Sequence, residues 1–302
     1  MLGKHREGIE DSGWKHAIKE EDCMSKKKQL KKLAKSSIQI LKSGKIKVAK
    51  DQKINLKPFV NDSVDNAVVS RLNAIISQER VVIDTADLRA DVTTNMTSDI
   101  KTAELAARVN SPKTNTIVVT VNKKNALDVF DFLENGTLGI ILRTSTLASI
   151  YKDENIKDRW VDLNKDDKST FTNVMFIPKI MVFIDPTTGK IRKTPYYINL
   201  LLVSVPTQKN MTDGVEELSN EDMCARIIAD ICEAAIKCGA RDLILDPYAY
   251  KMFRKEPHIT AELWYQITTG QRFIEQFESV VFTVENEELF VIFNAVNAVR
   301  GK

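Results

Sequence analysis

Apolar positions along the chain switch between two periods, about 3.6 and 2, and the switches mark its elements. Residues 25–43 carry Leu30, Leu33, Ala34, Ile38 and Leu41 on one helical stripe, and Gly44 stands where a C-terminal cap belongs. Ile46-Lys47-Val48 and Ile54-Asn55-Leu56 then alternate, as a weak hairpin does. Asp62 or Ser63 is expected to cap a second helix carrying Val64, Val68, Leu72, Ile75 and Ile76. Val81 to Asp84 reads as a short buried strand, and Ser98 and Asp99 open a helix through Val109.

From Thr116 the pattern changes. Thr116 to Val121 is a strong strand, followed by a helix over Ala126 to Leu133 and a break at Asn135-Gly136. Leu138 to Leu142 is expected to be a second apolar strand. Met181 to Ile184 and Tyr196 to Val205 are strands joined by a turn at Asp185-Pro186-Thr187-Thr188-Gly189. Glu221 to Lys237 is a long helix ending at Gly239. Leu243 to Leu245 is a strand, Thr260 to Ile267 a helix, Ser279 to Val284 the last strand, and Asn286 to Val299 the closing helix. Continuous apolar strands alternating with helices predict a buried mixed or parallel sheet between helical layers. Residues 1–24 are polar and show neither period, so alone they are expected to lack order.

Composition changes this picture little. Hydrophobic residues make up 43% and charged residues 28% of 302, which suits a globular chain with a sizeable core. The net charge of +3 argues neither for nor against a polyanionic partner. The local run Lys26, Lys27, Lys28, Lys31, Lys32 and Lys35 could meet phosphates, but such runs are more often the solvated face of a helix. Nucleic acid is therefore not expected as a partner. No apolar run approaches the ~20 residues of a membrane span, and the charged N-terminus has no signal-peptide core. A soluble intracellular protein is expected, in cytoplasm, nucleus or an assembled particle.

Candidate chemistry is sparse. Cys23, Cys224, Cys232 and Cys238 form no CxxC pair, and Cys224 and Cys232 stand about 12 Å apart along one helix, too far for a disulfide. They read as reduced core residues, and with only three histidines neither a metal nor a cofactor is expected. Asp242 with Asp246, or Glu287 with Glu288, could be a carboxylate pair; helix-start and surface acids explain them better. His258, in the first turn of a helix, reads as a capping or surface residue. Ser145 has no histidine nearby in sequence, and Gly136-Thr137-Leu138-Gly139 lacks the Gly-Lys-Ser/Thr end of a P-loop. Trp264 and Tyr265 read as core and rim, and Lys123-Lys124 as a solvated loop.

Several stretches, taken in order, resemble the microbial type of poly(ADP-ribose) glycohydrolase. They are "ILKSGKI" at 40–46, "PKIMVFIDPTTGKIRKTPYYINLLLVSVPTQKN" at 178–210, the helix–"DLIL"–loop–Phe–Pro-helix run from Arg226 through Phe253 to Trp264, and the closing "ENEELFVIFNAV". The resemblance implies a macrodomain-like three-layer α/β/α domain with a mixed sheet over 112–302, a mostly helical region over 25–111, and a polar arm over 1–24. In that family a Gly-rich loop after a central strand cradles a diphosphate, and two adjacent glutamates follow it, one serving as acid/base. Here the matching strand is expected at Leu138 to Leu142, running directly into Arg143-Thr144-Ser145-Thr146-Leu147, which resembles the family's Arg-Ser-Ser-Leu. On that reading the loop and both glutamates are deleted. The family's second Gly-rich loop is matched by Asp246-Pro247-Tyr248-Ala249-Tyr250-Lys251-Met252-Phe253, which has no glycine. Asp246 adds a charge there and Pro247 removes a donor.

The expectation is a non-catalytic pseudoenzyme with no catalytic residues. It would act as a structural or interaction subunit of an assembly, a virus particle being one setting, with protein partners engaging residues 1–24. The alternative is an ADP-ribose or nucleotide module, with Tyr248, Tyr250 and Phe253 as a stacking platform for weak binding. An active ADP-ribosyl glycohydrolase with a rebuilt site is the third class.

Overall fold

The structure, a computed structural model, describes residues 28–50, 52–72, 91–96, 116–123, 136–165, 172–205, 220–246, 257–273, 275–284 and 286–300. Helix α1 (28–43) ends at Gly44, whose φ of +67° is the left-handed cap that the sequence predicts. Strands β1 (Lys45–Lys47) and β2 (Lys53–Asn55) pair antiparallel as the expected hairpin. Helix α2 (Lys57–Asp65) and strands β3 (Val68–Leu72) and β4 (Asp91–Met96) follow. Next come β5 (Thr116–Lys123), α3 (Thr137–Thr144), α4 (Leu147–Ile150) and α5 (Glu154–Asn164). The chain continues with β6 (Thr172–Ile184), β7 (Ile191–Val205), α6 (Asn220–Lys237) and β8 (Asp242–Leu245). It ends with α7 (Pro257–Thr269), β9 (Ser279–Val284) and α8 (Glu287–Arg300).

One mixed sheet has the order β3-β6-β7-β5-β8-β9-β4. Only β6 runs against the others: it is antiparallel to both β3 and β7, while β7, β5, β8, β9 and β4 pair parallel in turn. Because side chains alternate along a strand, β5 sends Ile117, Val119 and Val121 to one face and Val118 to the other. The first face is covered by α6, α7 and α8 through Ile228, Cys232, Trp264 and Phe293. The second is covered by α3, α4 and α5 through Leu138, Ile141, Leu147 and Trp160. Ile117, Val118 and Val119 have no exposed surface at all, as expected of a central parallel strand. This is the expected three-layer α/β/α arrangement with a mixed sheet.

Two expected elements are different. Leu138 to Leu142 is not a strand but part of helix α3. Leu138, Ile141, Leu142 and Ser145 stand at i, i+3, i+4 and i+7, and all four are buried, which is the helical period. A five-residue apolar run is compatible with either period. Likewise Val64, Val68 and Leu72 do not share a helix. Helix α2 starts at Lys57 with Pro58 in its first turn, ends at Asp65, and Val68 and Leu72 belong to β3. Ser63 is no cap. It is buried and its hydroxyl donates to the Lys179 carbonyl at 3.3 Å.

Two strands of the described sheet come from the region 25–111. It supplies β3 and β4, the two edges of the main sheet. The expected strand at Val81–Asp84, the helices at 98–109 and 126–133, and the arm 1–24 lie outside the described residues.

The β6–β7 turn is built as its sequence predicts. One Asp185 oxygen accepts from the backbone N–H groups of Thr187 and Thr188 at 3.0 and 2.8 Å, and from the Thr188 hydroxyl at 3.1 Å. Gly189, at φ +67°, donates to the Asp185 carbonyl. The Thr188 backbone hydrogen bond, helped by the Thr188 hydroxyl, the Thr187 N–H and Arg192, outweighs partial burial and holds the Asp185 carboxyl below the usual carboxylate range. A lowered folded-state pKa contributes stability above the unfolded value of about 3.9 and loses it as pH falls through the lower folded value. Asp185→Asn is therefore expected to melt below the parent at pH 6, with the gap closing as pH falls under about 4. Paired thermal melts from pH 3 to 7 test this; a gap that does not change with pH would sink it.

Candidate functional site

In an open α/β sheet, ligands bind outside the carboxyl ends of neighbouring strands whose connections leave to opposite faces. Adjacent strands β5 and β8 meet that condition. From β5 the chain reaches α3 on one face, and from β8 it reaches α7 on the other. The crevice between their ends is the candidate site. In the chain, residues 124–135 follow β5 and residues 247–256 follow β8. Both lie outside the described residues, and with them Lys124, Tyr248, Tyr250 and Phe253.

Three described features frame the crevice. Asp246 closes β8. It is 1% exposed, and its backbone N–H donates to the Val119 carbonyl at 3.1 Å. The Leu245 carbonyl accepts from the Thr283 hydroxyl at 2.8 Å, tying β8 to β9. The third feature is the start of α3. Gly136, its N-cap, is extended and makes no side-chain cap hydrogen bond, and Gly136, Thr137, Leu138 and Gly139 are all buried.

The segment after α3 is structural. Ser145 donates to the Ile141 carbonyl at 2.6 Å and accepts from the Leu147 N–H at 3.1 Å. Thr146 bonds β6 twice, its N–H to the Met181 carbonyl and its hydroxyl from the Met181 N–H. A hydroxyl held so, with no exposed surface, is no nucleophile. Arg143 ends α3 at 1% exposure.

The helical α3 also changes the deletion reading. Strand β5 is the central strand, and residues 124–135 stand between it and α3. Because Leu138 to Leu142 is helical, it is not the strand after which that loop was expected, and residues 124–135, between β5 and α3 in the chain, contain no glycine. The signal for this was the break at Asn135-Gly136, which opens α3 instead of a strand.

The remaining candidates do not converge on the crevice. Asp242 and Asp246 lie at opposite ends of β8, about 13 Å apart along the strand. Asp242 accepts from Ser279 at 2.6 Å and from Thr116 at 3.5 Å, joining the starts of three strands. Glu287 and Glu288 are exposed in the first turn of α8, where acids suit the helix dipole. His258 is exposed and faces Glu262 at 3.7 Å, one turn along α7. Trp264 and Tyr265 are both buried, so Tyr265 is core rather than rim.

Cys224 and Cys232 sit in the core, and burial pushes both thiols up; burial also pushes Cys238 up to about 11. None is a reactive thiolate at neutral pH. Among the described residues no group of His, Cys, Asp or Glu could hold a metal, and no helix is long and apolar enough to cross a membrane.

No protein-family model matches the chain, and no curated protein matches it significantly. Solved structures do match. A poly(ADP-ribose) glycohydrolase from Thermomonospora curvata superposes with a TM-score of 0.63 at 17% identity, covering 92% of this chain and 99% of that one. The same enzyme bound to the inhibitor ADP-HPD gives 0.62 at 16%, covering 90% and 99%. The enzyme from Deinococcus radiodurans in complex with ADP-ribose gives 0.61 at 13%, covering 80% and 98%. The fold of this chain is the macrodomain-like fold of these glycohydrolases.

Proposed function

We propose that this chain keeps the poly(ADP-ribose) glycohydrolase fold without its chemistry, and works as a structural or interaction subunit of an assembly. One observation carries this reading. Helix α3 joins the crevice to the Arg143–Leu147 segment, where the resemblance places the paired glutamates. It reads Thr-Leu-Gly-Ile-Ile-Leu-Arg-Thr, with no carboxylate, and its first turn is buried. A glycosidic bond needs a proton delivered to the leaving oxygen and charge support at the anomeric carbon. Buried Thr137, Leu138 and Gly139 supply neither. The glycine-free stretch 124–135 and the Asp246-Pro247 pair point the same way, because a backbone cradle for a diphosphate needs close approach and free N–H donors.

The chain incubated with poly(ADP-ribose) is expected to release no ADP-ribose; release above the no-protein control would overturn the reading. Protein partners are expected to engage residues 1–24. Cross-linking the full chain in its own cells should give links from Lys4, Lys15 and Lys19 to other proteins, and an arm without such links would remove this part.

A second reading, a nucleotide-binding module, draws on the start of α3. A helix N-terminus without a side-chain cap, set at the crevice, favours an anion. Tyr248, Tyr250 and Phe253 would then supply the stacking surface. Titration with ADP-ribose separates the two. Saturation tighter than about 100 μM, roughly −5.5 kcal/mol, favours the module; no heat at millimolar ligand leaves the structural role.

A further inference from the structure

We propose that α1 and the β1–β2 hairpin form a second site, at the opposite end of the strands from the crevice, that binds the phosphate backbone of a nucleic-acid duplex. Between residues 28 and 57 there are ten lysines and one acid, Asp51, whereas the whole chain carries a net charge of only +3. All ten lysines are exposed. None forms an ion pair among the described residues. Of the two acids of α2, Asp62 is taken by Lys179 at 3.0 Å.

Sequence alone reads such a run as a solvated helix face. Three structural facts change that. First, Lys28, Lys31, Lys32, Lys35 and Lys42 fall within a sector of about 100° and run roughly 21 Å along α1. This is a straight stripe, not a scatter. Second, the hairpin sets Lys47 directly opposite Lys53. Like charges in that position repel unless an anion lies between them. Third, the apolar side of α1 is already used. Leu33, Ile40 and Leu41 pack with the hairpin and with Met181, Phe183 and Ile184. A helix binding a lipid surface would insert its apolar side, so the available side offers cations alone.

The stretch has no arginine and no aromatic residue. It can neither read base edges by bidentate bonds nor stack unpaired bases, so its partner is the backbone of a duplex, without sequence preference. The site is also independent of the crevice. Hairpin and α1 pack where β6 ends and β7 begins, whereas β5 and β8 end on the far side of the sheet.

The test uses the full chain and a labelled 30-base-pair DNA duplex, followed by fluorescence anisotropy. With five phosphates engaged, the slope of log affinity against log salt is expected near −4 to −5, a loss of roughly 500-fold between 50 and 200 mM. Replacing Lys28, Lys31, Lys32, Lys35 and Lys42 with glutamine should weaken binding at least tenfold at 50 mM salt and flatten the slope. The melting temperature should not move, because these side chains are exposed. A Lys152→Gln, Lys157→Gln control on another surface should bind as the parent does. No duplex binding at 50 mM salt, equal binding by the five-site variant, or binding to phosphatidylserine vesicles but not to duplex would each overturn the proposal.

Discussion

Trp264→Ala is expected to cost about 3–5 kcal/mol of folding stability, and to lower the melting temperature by roughly 10 °C. Trp264 has no exposed surface and lies on α7. Its ring meets Phe282 of β9 edge-on at 5.9 Å and 75°, and Phe282 in turn meets Phe293 of α8 at 4.9 Å. Phe282 thus holds a ring from each of two helices, and Trp264 is the one that α7 supplies. Removing it opens a cavity that rigid neighbours can only partly fill, and breaks an aromatic pair worth about 1 kcal/mol beyond its area. The indole N–H has no partner among the described residues. Trp264→Phe is thus expected to cost much less, since it deletes an unpaired buried donor along with the lost area. Urea unfolding of both variants checks this. A Trp264→Ala loss under about 1 kcal/mol would mean that α7 is not seated as described.

Leu138→Glu is expected to cost about 4 kcal/mol or more and to create no hydrolase. The substitution returns a carboxylate to the helix where the resemblance places the acid pair. Leu138 is 6% exposed and shares a cluster with Val118, Leu200 and Leu202. A carboxylate there loses its water. The positive end of α3 offsets at most about 2 kcal/mol of that penalty. Leu138→Met, of similar volume, should cost under about 1.5 kcal/mol and serves as the control. Thermal melts and a poly(ADP-ribose) assay on both variants decide the matter. A stable Leu138→Glu protein that releases ADP-ribose would show that α3 borders an open site lacking only the carboxylate, and would overturn the buried placement of its first turn.

Where the sequence carries one clear period, it specifies the element. Thr116–Val121 and Ser279–Val284 are too apolar and too β-branched to be anything but buried strands. Glu221–Lys237 carries its apolar stripe through four turns, with acids at its start and Gly239 just past its end. Errors fall where period is ambiguous. Leu138 to Leu142 is apolar at five adjacent places but for Gly139, and only the fate of Ser145, one turn on, shows that the period is helical. Val64, Val68 and Leu72 are spaced as a helix by coincidence, because Asn66 and Ala67 break the chain between them. Strand β4, Asp-Val-Thr-Thr-Asn-Met, was not legible, since its place depends on a partner far away in sequence. For the candidate site the sequence offered one stretch, Asp246 to Phe253, and no place. Only strand order sets the carboxyl ends of β5 and β8 side by side, and no local pattern encodes strand order.

The far edge of the sheet has a consequence for how the chain is made. Strand β4 (Asp91–Met96) is synthesised long before β9 (Ser279–Val284), its neighbour among the described residues. Closing so long a loop is entropically costly, and contacts of such separation slow folding. Until β9 is made, β8 and β4 each keep an unpaired edge of backbone donors and acceptors, open to pairing with other nascent chains. The arrival of β9 thus decides whether a nearly complete sheet remains a template for aggregation or closes into the native molecule.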